Sequence, residues 1–327
     1  MVVHYNPLTK EPYLQLPAPC ANIIITPQRE HQIEETAAVM TEILNDSRVY
    51  SWLQGPPYPF LPEHGVDWIK AKIAEHKDVV STLQKEFETS DSQQGDGSNG
   101  QGEPEFFDKS PFVCIREVIK RDPATGALLE DVQIGDFTLV RYAFYELPPD
   151  SPERALAQKQ NEDLPVGHKD IIWCIGCMEI PSETQAQLLT ILTDYLSPTQ
   201  HGRGIMSVAV RTVIQDWAIP RMNLHLLRGS FYAENMGSRR VMEKNNFEEI
   251  CTLKDWAPVS PNKGGGKKSI VVMASYPRSS PRPPDERNQA KKYKLSEEAD
   301  KEKTRRKWKK VLIEIRKHGR AKKRSGK

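Results

Sequence analysis

Hydrophobic and polar positions repeat with two different periods along this chain, and the period changes in a fixed order. Ile23-Ile24-Ile25 is a short apolar run that predicts a strand. From Glu35 to Leu44, the residues Ala37, Ala38, Met40, Ile43 and Leu44 recur at helical spacing. A second helix is predicted from Pro62-Glu63, with Val66, Ile69, Ile73 and Val80 on one stripe. Proline suits a first helical turn, where its fixed φ and missing N–H cost nothing. Three strand-like runs follow, Phe112 to Ile119, Gln133 to Phe144 and Ile171 to Ile180. The first two are separated by Asp122-Pro-Ala-Thr-Gly126, a turn by composition. Near the end, Glu248–Leu253 and Ser269–Ser275 read as a hairpin around Gly264-Gly-Gly. Helices first, then strands, then a glycine-rich turn into a helix predict an α/β (α+β) domain with a mixed, mostly antiparallel sheet.

Three stretches read as lying outside the core. Residues 91–105 carry four glycines and no large apolar side chain until the next segment, and predict a flexible insertion. Residues 148–170 mix prolines and charges and predict a long loop with a short helix around Pro152–Lys159. From 277 a Pro-rich linker leads into a basic tail. The expected division is therefore a domain over 1–276 and a tail over 277–327.

Charge separates the same two parts. Residues 278–327 hold 20 Lys and Arg against 7 Asp and Glu, which leaves 26 against 37 in residues 1–277. An acidic body attracts cationic amines, and a basic tail attracts polyanions. Trp308, Val311, Leu312 and Ile315 share one stripe, so Lys301 to Lys317 is predicted to form a basic amphipathic helix. Three readings of the tail stay open. It docks on the body, it contacts RNA or the ribosome through its cations, or it is disordered and serves as a nuclear address at Arg320-Ala-Lys-Lys-Arg324. Without an aromatic ladder, base-specific reading is not expected.

Other classes are argued against. The longest mostly apolar run, Ile171 to Ile180, is roughly half a membrane span. The first residues hold no apolar segment behind a basic patch, so no secretory signal is expected and the compartment is expected to be cytoplasmic or nuclear. The five cysteines give an odd count, and Cys174-Ile-Gly-Cys177 has no second pair at zinc spacing, so buried structural cysteines and no metal are expected. Gly264-Gly-Gly-Lys-Lys-Ser269 lacks the glycine that a P-loop places before Lys-Ser.

The chemistry-bearing stretch runs from Asp194 to Phe247. Tyr195-Leu196 ends a strand, residues 197–203 form a tight loop, and Ile205, Val208, Ala209 and Val213 then repeat at helical spacing. His201-Gly-Arg-Gly-Ile-Met206 should thus sit where a strand feeds a helix N-terminus, with free amides and a helix dipole for a phosphate or pyrophosphate. Glycines at 202 and 204 would permit close backbone approach.

These residues resemble the GNAT family of acetyltransferases. Tyr195-Leu-x-Pro198 followed by His201-Gly-Arg-Gly204-Ile-Met resembles its cofactor loop, with His201 at the usual Arg or Gln and Met206 at the last Gly or Ala. Glu234-Asn235-x-x-Ser238-x-x-Val241-x-x-Lys244-x-x-Phe247 resembles its second motif, with Asn246 where Gly is common. Val49-Tyr-Ser-Trp-Leu53, Gly55-Pro56-Pro57-Tyr58-Pro59 and Trp68-Ile69 resemble the branch that acetylates ribosomal-protein alanines.

The resemblance implies a sheet with helices on both faces and a pair of splayed parallel strands that hold acetyl-CoA. It implies cofactor contacts from Leu196, His201, Gly202, Arg203, Gly204, Ile205 and Met206, with Asn235 and Ser238 on the pantetheine side. It implies attack by a neutral amine on the thioester, with no metal. The family's frequent thiolate-protonating Tyr falls at Met242 here, so Ser238 is nominated as the thiolate stabiliser, with helix capping as its alternative and Tyr232 as a second donor. Asp194 and Glu234 are both open as base. The acceptor is an amine, either a protein N-terminus or a small amine. Residues 177–193 interrupt the strand that should enter the loop. A second function stays open: a non-catalytic module of this fold whose tail binds RNA or the ribosome.

Overall fold

The structure is a computed structural model and describes residues 3–92, 105–148, 150–175 and 194–277. Residues 93–104 of the 91–105 stretch, the whole 177–193 interruption with Cys177, and the tail from 278 lie outside the described residues.

Three short strands, β1 (His4–Tyr5), β2 (Pro12–Gln15) and β3 (Ile23–Thr26), precede the helices α1 (Ile33–Asn45), α2 (Ser47–Tyr50) and α3 (Pro62–Ser92). α1 buries Ala37, Met40, Ile43 and Leu44, the stripe read from the sequence. α3 begins at Pro62 as expected, but its buried face is different. Trp68, Ile69, Lys72, His76, Val79 and Leu83 point inward, while Ile73 and Val80 are half-buried. The helix therefore carries two titratable groups into the interior. Burial pushes His76 down to about 4, so it is held neutral. A side chain on Gly65 would stand 2.9 Å from Ala37 Cβ, which is how closely α3 and α1 pack.

The strands then build two sheets. β4 (Cys114–Arg121) and β5 (Leu128–Asp136) form a hairpin over the Asp122–Gly126 turn, where Asp122 Oδ1 accepts from the Ala124 amide at 2.9 Å. β5 starts five residues before the apolar run predicted it, because Glu130 and Asp131 interrupt its hydrophobic pattern. The run 133–144 is not one strand. It ends β5 and resumes as β6 (Leu139–Arg141) in the other sheet. After α4 (Pro152–Glu162) comes β7 (Ile172–Ile175), and after the undescribed segment β8 (Tyr195–Leu196). α5 (Ile205–Thr212) runs through a π-helical turn (Val213–Ala218) into α6 (Ile219–Met222). β9 (Leu226–Tyr232), α7 (Met236–Lys244), β10 (Glu248–Pro258) and β11 (Lys267–Ser275) complete the fold.

One sheet has the order β1-β2-β3-β4-β5-β8 and is antiparallel throughout. The other has the order β10-β11-β9-β7-β6, with β7 and β9 as its parallel pair. The chain changes sheets between β5 and β6, between β7 and β8, and once more between β8 and β9. β7 pairs with the start of β9 through Ile172↔Leu226 to Cys174↔Arg228, whereas β8 pairs with β5 through Gly135↔Leu196. From Gly229 to Tyr232, β9 keeps only β11 as a partner among the described strands. β8 and β9 are therefore splayed. Gly135 permits the closure of β8 on β5, since a Cβ there would lie 2.4 Å from the Tyr195 carbonyl oxygen.

The largest core cluster packs α5 and the π-helical turn on one face of the sheets, through Ile134, Leu196, Val210, Trp217, Leu227 and Phe231. On the opposite face of β9, Tyr232 joins Tyr142, Ile250 and Val272, with half-buried Trp52 against them. Helices α1 and α3 enclose a third cluster that includes Tyr195. Cys174 is fully buried and disulfide-bonded, while Cys20, Cys114 and Cys251 are free thiols. Among the described residues, no helix is long and apolar enough to cross a membrane.

Candidate active site

β8 leaves the sheet at Ser197, whose amide donates to the Ile134 carbonyl at 2.7 Å. That bond makes Gly135↔Leu196 a non-hydrogen-bonded pair, so the Leu196 amide and carbonyl point away from β5 into the splay. A short 3-10 turn (Pro198–Gln200) leads to Gly202 and Gly204, both at φ 79°. That conformation is open to glycine and strained for other residues. A Cβ at either position would meet no atom of the protein within 4 Å, so what requires glycine within the chain itself is the backbone conformation. Gly204 is the N-cap of α5 and no side chain caps the helix. The first-turn amides thus lack intrahelical acceptors and converge with the positive end of the dipole.

A cavity of about 590 Å³ fills the splay. Its wall takes Gln200, His201, Gly202, Gly204, Ile205 and Met206 from the loop and helix, and Asn235, Ser238, Arg240 and Lys244 from α7. Ser230 and Phe231 both line it, as do Tyr195 and Leu196. Successive strand residues point to opposite faces, so the cavity passes between β8 and β9 and reaches both faces of the sheet.

Several side chains expected at the cofactor have partners within the protein. His201 Nε2 donates to the Leu196 carbonyl at 3.0 Å, so the imidazole folds back over its own loop. Arg203 is not on the cavity wall. Its guanidinium donates to Glu117 at 3.2 Å and to Gln200 Oε1, an ion pair to β4 that the loop sequence alone did not reveal. Asn235 is the N-cap of α7, its Oδ1 accepting from the Ser238 amide at 3.0 Å. The capping alternative for Ser238 is therefore overturned, and its half-buried hydroxyl stands on the wall without that duty. Tyr232 is not on the wall. Its phenol is buried in the cluster opposite, pushed up to about 12 by that burial, and Lys268 Nζ lies 4.6 Å from its ring. Met242 packs into the space left by Gly229, 2.6 Å from where a Cβ would be, so this position supplies carbon and sulfur instead of a hydroxyl.

Both carboxylates left open as base are on the wall. Glu234 is exposed, whereas half-buried Asp194 accepts the Thr138 amide at 2.9 Å and is oriented by it. Behind it, Asp136 is 1% exposed and accepts from Gln28 Nε2 at 3.1 Å. Burial pushes its carboxyl up to about 8, against the pull of Lys72 and with a further push from Asp194. Burial also raises the Tyr195 phenol well above its ordinary value. Sequence reasoning missed the wall from α2 and the following turn, Arg48, Val49, Trp52 and Leu53. The only signal was the aromatic and apolar run 49–53, which carried family likeness but no role. Among the described residues, no group of three His, Cys, Asp or Glu could hold a metal ion.

Residues 115–248 match the acetyltransferase (GNAT) domain model. Over 76 residues the chain is 34% identical to the probable N-acetyltransferase YjcK of Bacillus subtilis (strain 168), which covers 23% of this chain and 41% of that protein's length. Among solved structures, it is similar to a GNAT-family acetyltransferase from Bacillus anthracis, with 11% identity, TM-score 0.43 and coverage of 82% of this chain and 99% of that one. It is also similar to RimL, a ribosomal L7/L12 alpha-N-protein acetyltransferase in complex with coenzyme A, with 11% identity, TM-score 0.45 and coverage of 82% and 99%.

Proposed function

We propose, because residues 115–248 match the acetyltransferase (GNAT) domain, that the protein transfers an acetyl group from acetyl-CoA to an amine. The observation that carries this reading is the uncapped N-terminus of α5 at the mouth of a cavity that crosses the sheet between splayed strands. The residues present fit the cofactor. Amides from Gly202 to Met206 cradle the pyrophosphate. Arg240 and Lys244, exposed on the same wall, add cationic partners for phosphate. The Leu196 amide faces the splay and donates to a pantetheine carbonyl in the manner of an added strand. Its carbonyl already accepts from His201, so that loop is held in shape before any ligand enters.

Acetyl-CoA supplies an activated thioester. The amine enters from the face of Trp52, and Asp194 takes its proton so that the free lone pair is available. The C–N bond then forms at the thioester carbon, the C–S bond breaks, and the extra proton on the acylated nitrogen passes to the departing sulfur to give the CoA thiol. Ser238 donates a hydrogen bond to the sulfur that leaves with the electron pair. Asp194 is preferred to Glu234 because the Thr138 amide fixes its orientation.

Titration calorimetry with acetyl-CoA tests the cofactor half. Binding is expected in the wild type. Gly204→Glu, which places bulk, strain and negative charge at the cradle, is expected to weaken it at least tenfold, about 1.4 kcal/mol. A folded mutant with unchanged affinity would remove the loop from the site.

A further inference from the structure

The splay narrows to an apex where β9 stops pairing with β7. That point is Gly229, one residue past the Cys174↔Arg228 pair. A Cβ on Gly229 would lie 2.6 Å from Met242 Cε, 3.2 Å from Met242 Sδ and 3.0 Å from the Ile175 carbonyl oxygen. The thioether end of Met242 therefore rests on the bare backbone of β9, beside the end of β7 at Ile175. Met242 is 4% exposed, yet it is on the cavity wall. Val210 and Phe231, buried on the same wall, share one apolar cluster with it. Carbon and sulfur thus close the cavity at its apex.

Helix α7 orders what a ligand meets on the way in. Its start is tied to the outer end of β9, where the Asn235 amide donates to the Tyr232 carbonyl at 2.8 Å. From there the helix returns along β9, since Met242 reaches Gly229. Ser238 and Met242 are four residues apart and share a helix face. Ser238 therefore stands on the wider side and Met242 at the apex. In the acetyl-transfer reading, on which this inference rests, the pyrophosphate occupies the N-terminus of α5. β8 leads into that loop, so pantetheine laid against Leu196 runs back from the loop toward the apex. The sulfur then passes Ser238 and the acyl group arrives at Met242.

We propose that Met242 sets the length of the acyl group this protein accepts, its thioether forming the floor on which an acetyl methyl packs and with which a longer chain collides. An unbranched, polarizable side chain fills such an irregular gap closely. Gly229 gives its tip a seat that any side chain at that position would occupy. A longer acyl chain that bent away instead toward Trp52 would escape the control of Met242.

Titration calorimetry of the full chain with CoA, acetyl-CoA and butyryl-CoA tests the inference and needs no acceptor. The wild type is expected to bind acetyl-CoA about tenfold more tightly than butyryl-CoA, the size of a modest overpacking penalty. Met242→Ala removes Cγ, Sδ and Cε. It is expected to narrow that ratio roughly tenfold, the worth of two methylenes buried in the opened space, with the Kd for CoA within about twofold of wild type. Met242→Val keeps more of the core volume and is expected to narrow the ratio by about half as much on a logarithmic scale, so it decides the matter if the alanine variant does not fold. Equal affinity of the wild type for acetyl-CoA and butyryl-CoA overturns the inference. So does a folded variant that leaves the ratio unchanged, or one that weakens all three ligands alike. Absence of CoA and acetyl-CoA binding by the wild type overturns the acetyl-transfer reading beneath it.

Discussion

Replacing Asp136 by Asn separates charge from shape at one buried position. The carboxyl sits on β5 opposite Tyr195, where Gln28 Nε2 donates to Oδ2 and the Trp68 indole N–H and the Phe137 amide also favour the charged form against the larger effect of burial. Burial lifts its pKa from the ordinary carboxylate range to about 8. The folded protein therefore holds the acid neutral while the unfolded chain ionises it. A raised carboxyl contributes its full stability below the unfolded pKa and loses it as pH rises toward the folded value. The slope is about 1.4 kcal/mol per pH unit across that window. Asn cannot ionise, so its advantage over Asp should grow by roughly 2 to 3 kcal/mol between pH 5 and pH 7. His76 and the other titrating groups are common to both proteins and cancel in the difference. Urea denaturation of wild type and Asp136→Asn at pH 5, 6 and 7 reads the change directly. The absolute gap at one pH depends on packing of the amide, but its growth with pH does not. A gap that stays constant over those three points would mean that Asp136 is ionised in the native protein, and the reasoning from burial would be wrong.

Gly135→Ala forces a methyl group against the Tyr195 carbonyl and Leu196, so β8 must shift toward the splay. It should cost about 1–3 kcal/mol in denaturant melts and weaken acetyl-CoA binding in calorimetry, whereas intact affinity would show that β8 does not shape the cleft. Asn235→Ala removes the α7 cap and should lower stability by about 1 kcal/mol, while Ser238→Ala should slow turnover with little change in melting. The reverse pattern would return Ser238 to a structural role. Lys263→Met deletes two hydrogen bonds to the 53–56 segment, so amide exchange by mass spectrometry should rise over residues 51–58. Unchanged exchange there would mean that the β10–β11 turn does not brace this wall of the cavity.

The legible parts of the fold are those that a local pattern encodes. The α1 stripe, the start of α3 at Pro62 and the Asp122–Gly126 turn each depend on residues within one or two turns of each other. The α3 face was less legible. Lys72 and His76 occupy inward positions because neighbouring elements surround them, and hydropathy alone assigns such residues to solvent. The phosphate loop was legible in place but not in detail. Glycines at 202 and 204 announced the turn, yet His201 and Arg203 found partners in Leu196 and Glu117. Asn235 and Ser238 were both read near the site, but which of them capped α7 depended on a 3.0 Å contact.

Local pattern encoded α1, the start of α3, α4, the Asp122–Gly126 hairpin turn and the strand-to-helix loop with its two glycines, because periodicity and positive φ are properties of neighbouring residues. Tertiary structure alone decided that β5 and β6, and β7 and β8, belong to different sheets, so that the cavity opens between β8 and β9. It alone brought Lys263 and Lys268 to the carbonyls of residues 51–56, about two hundred positions away. Such contacts are set by sheet register and packing across the whole chain, and no short window of residues carries that information.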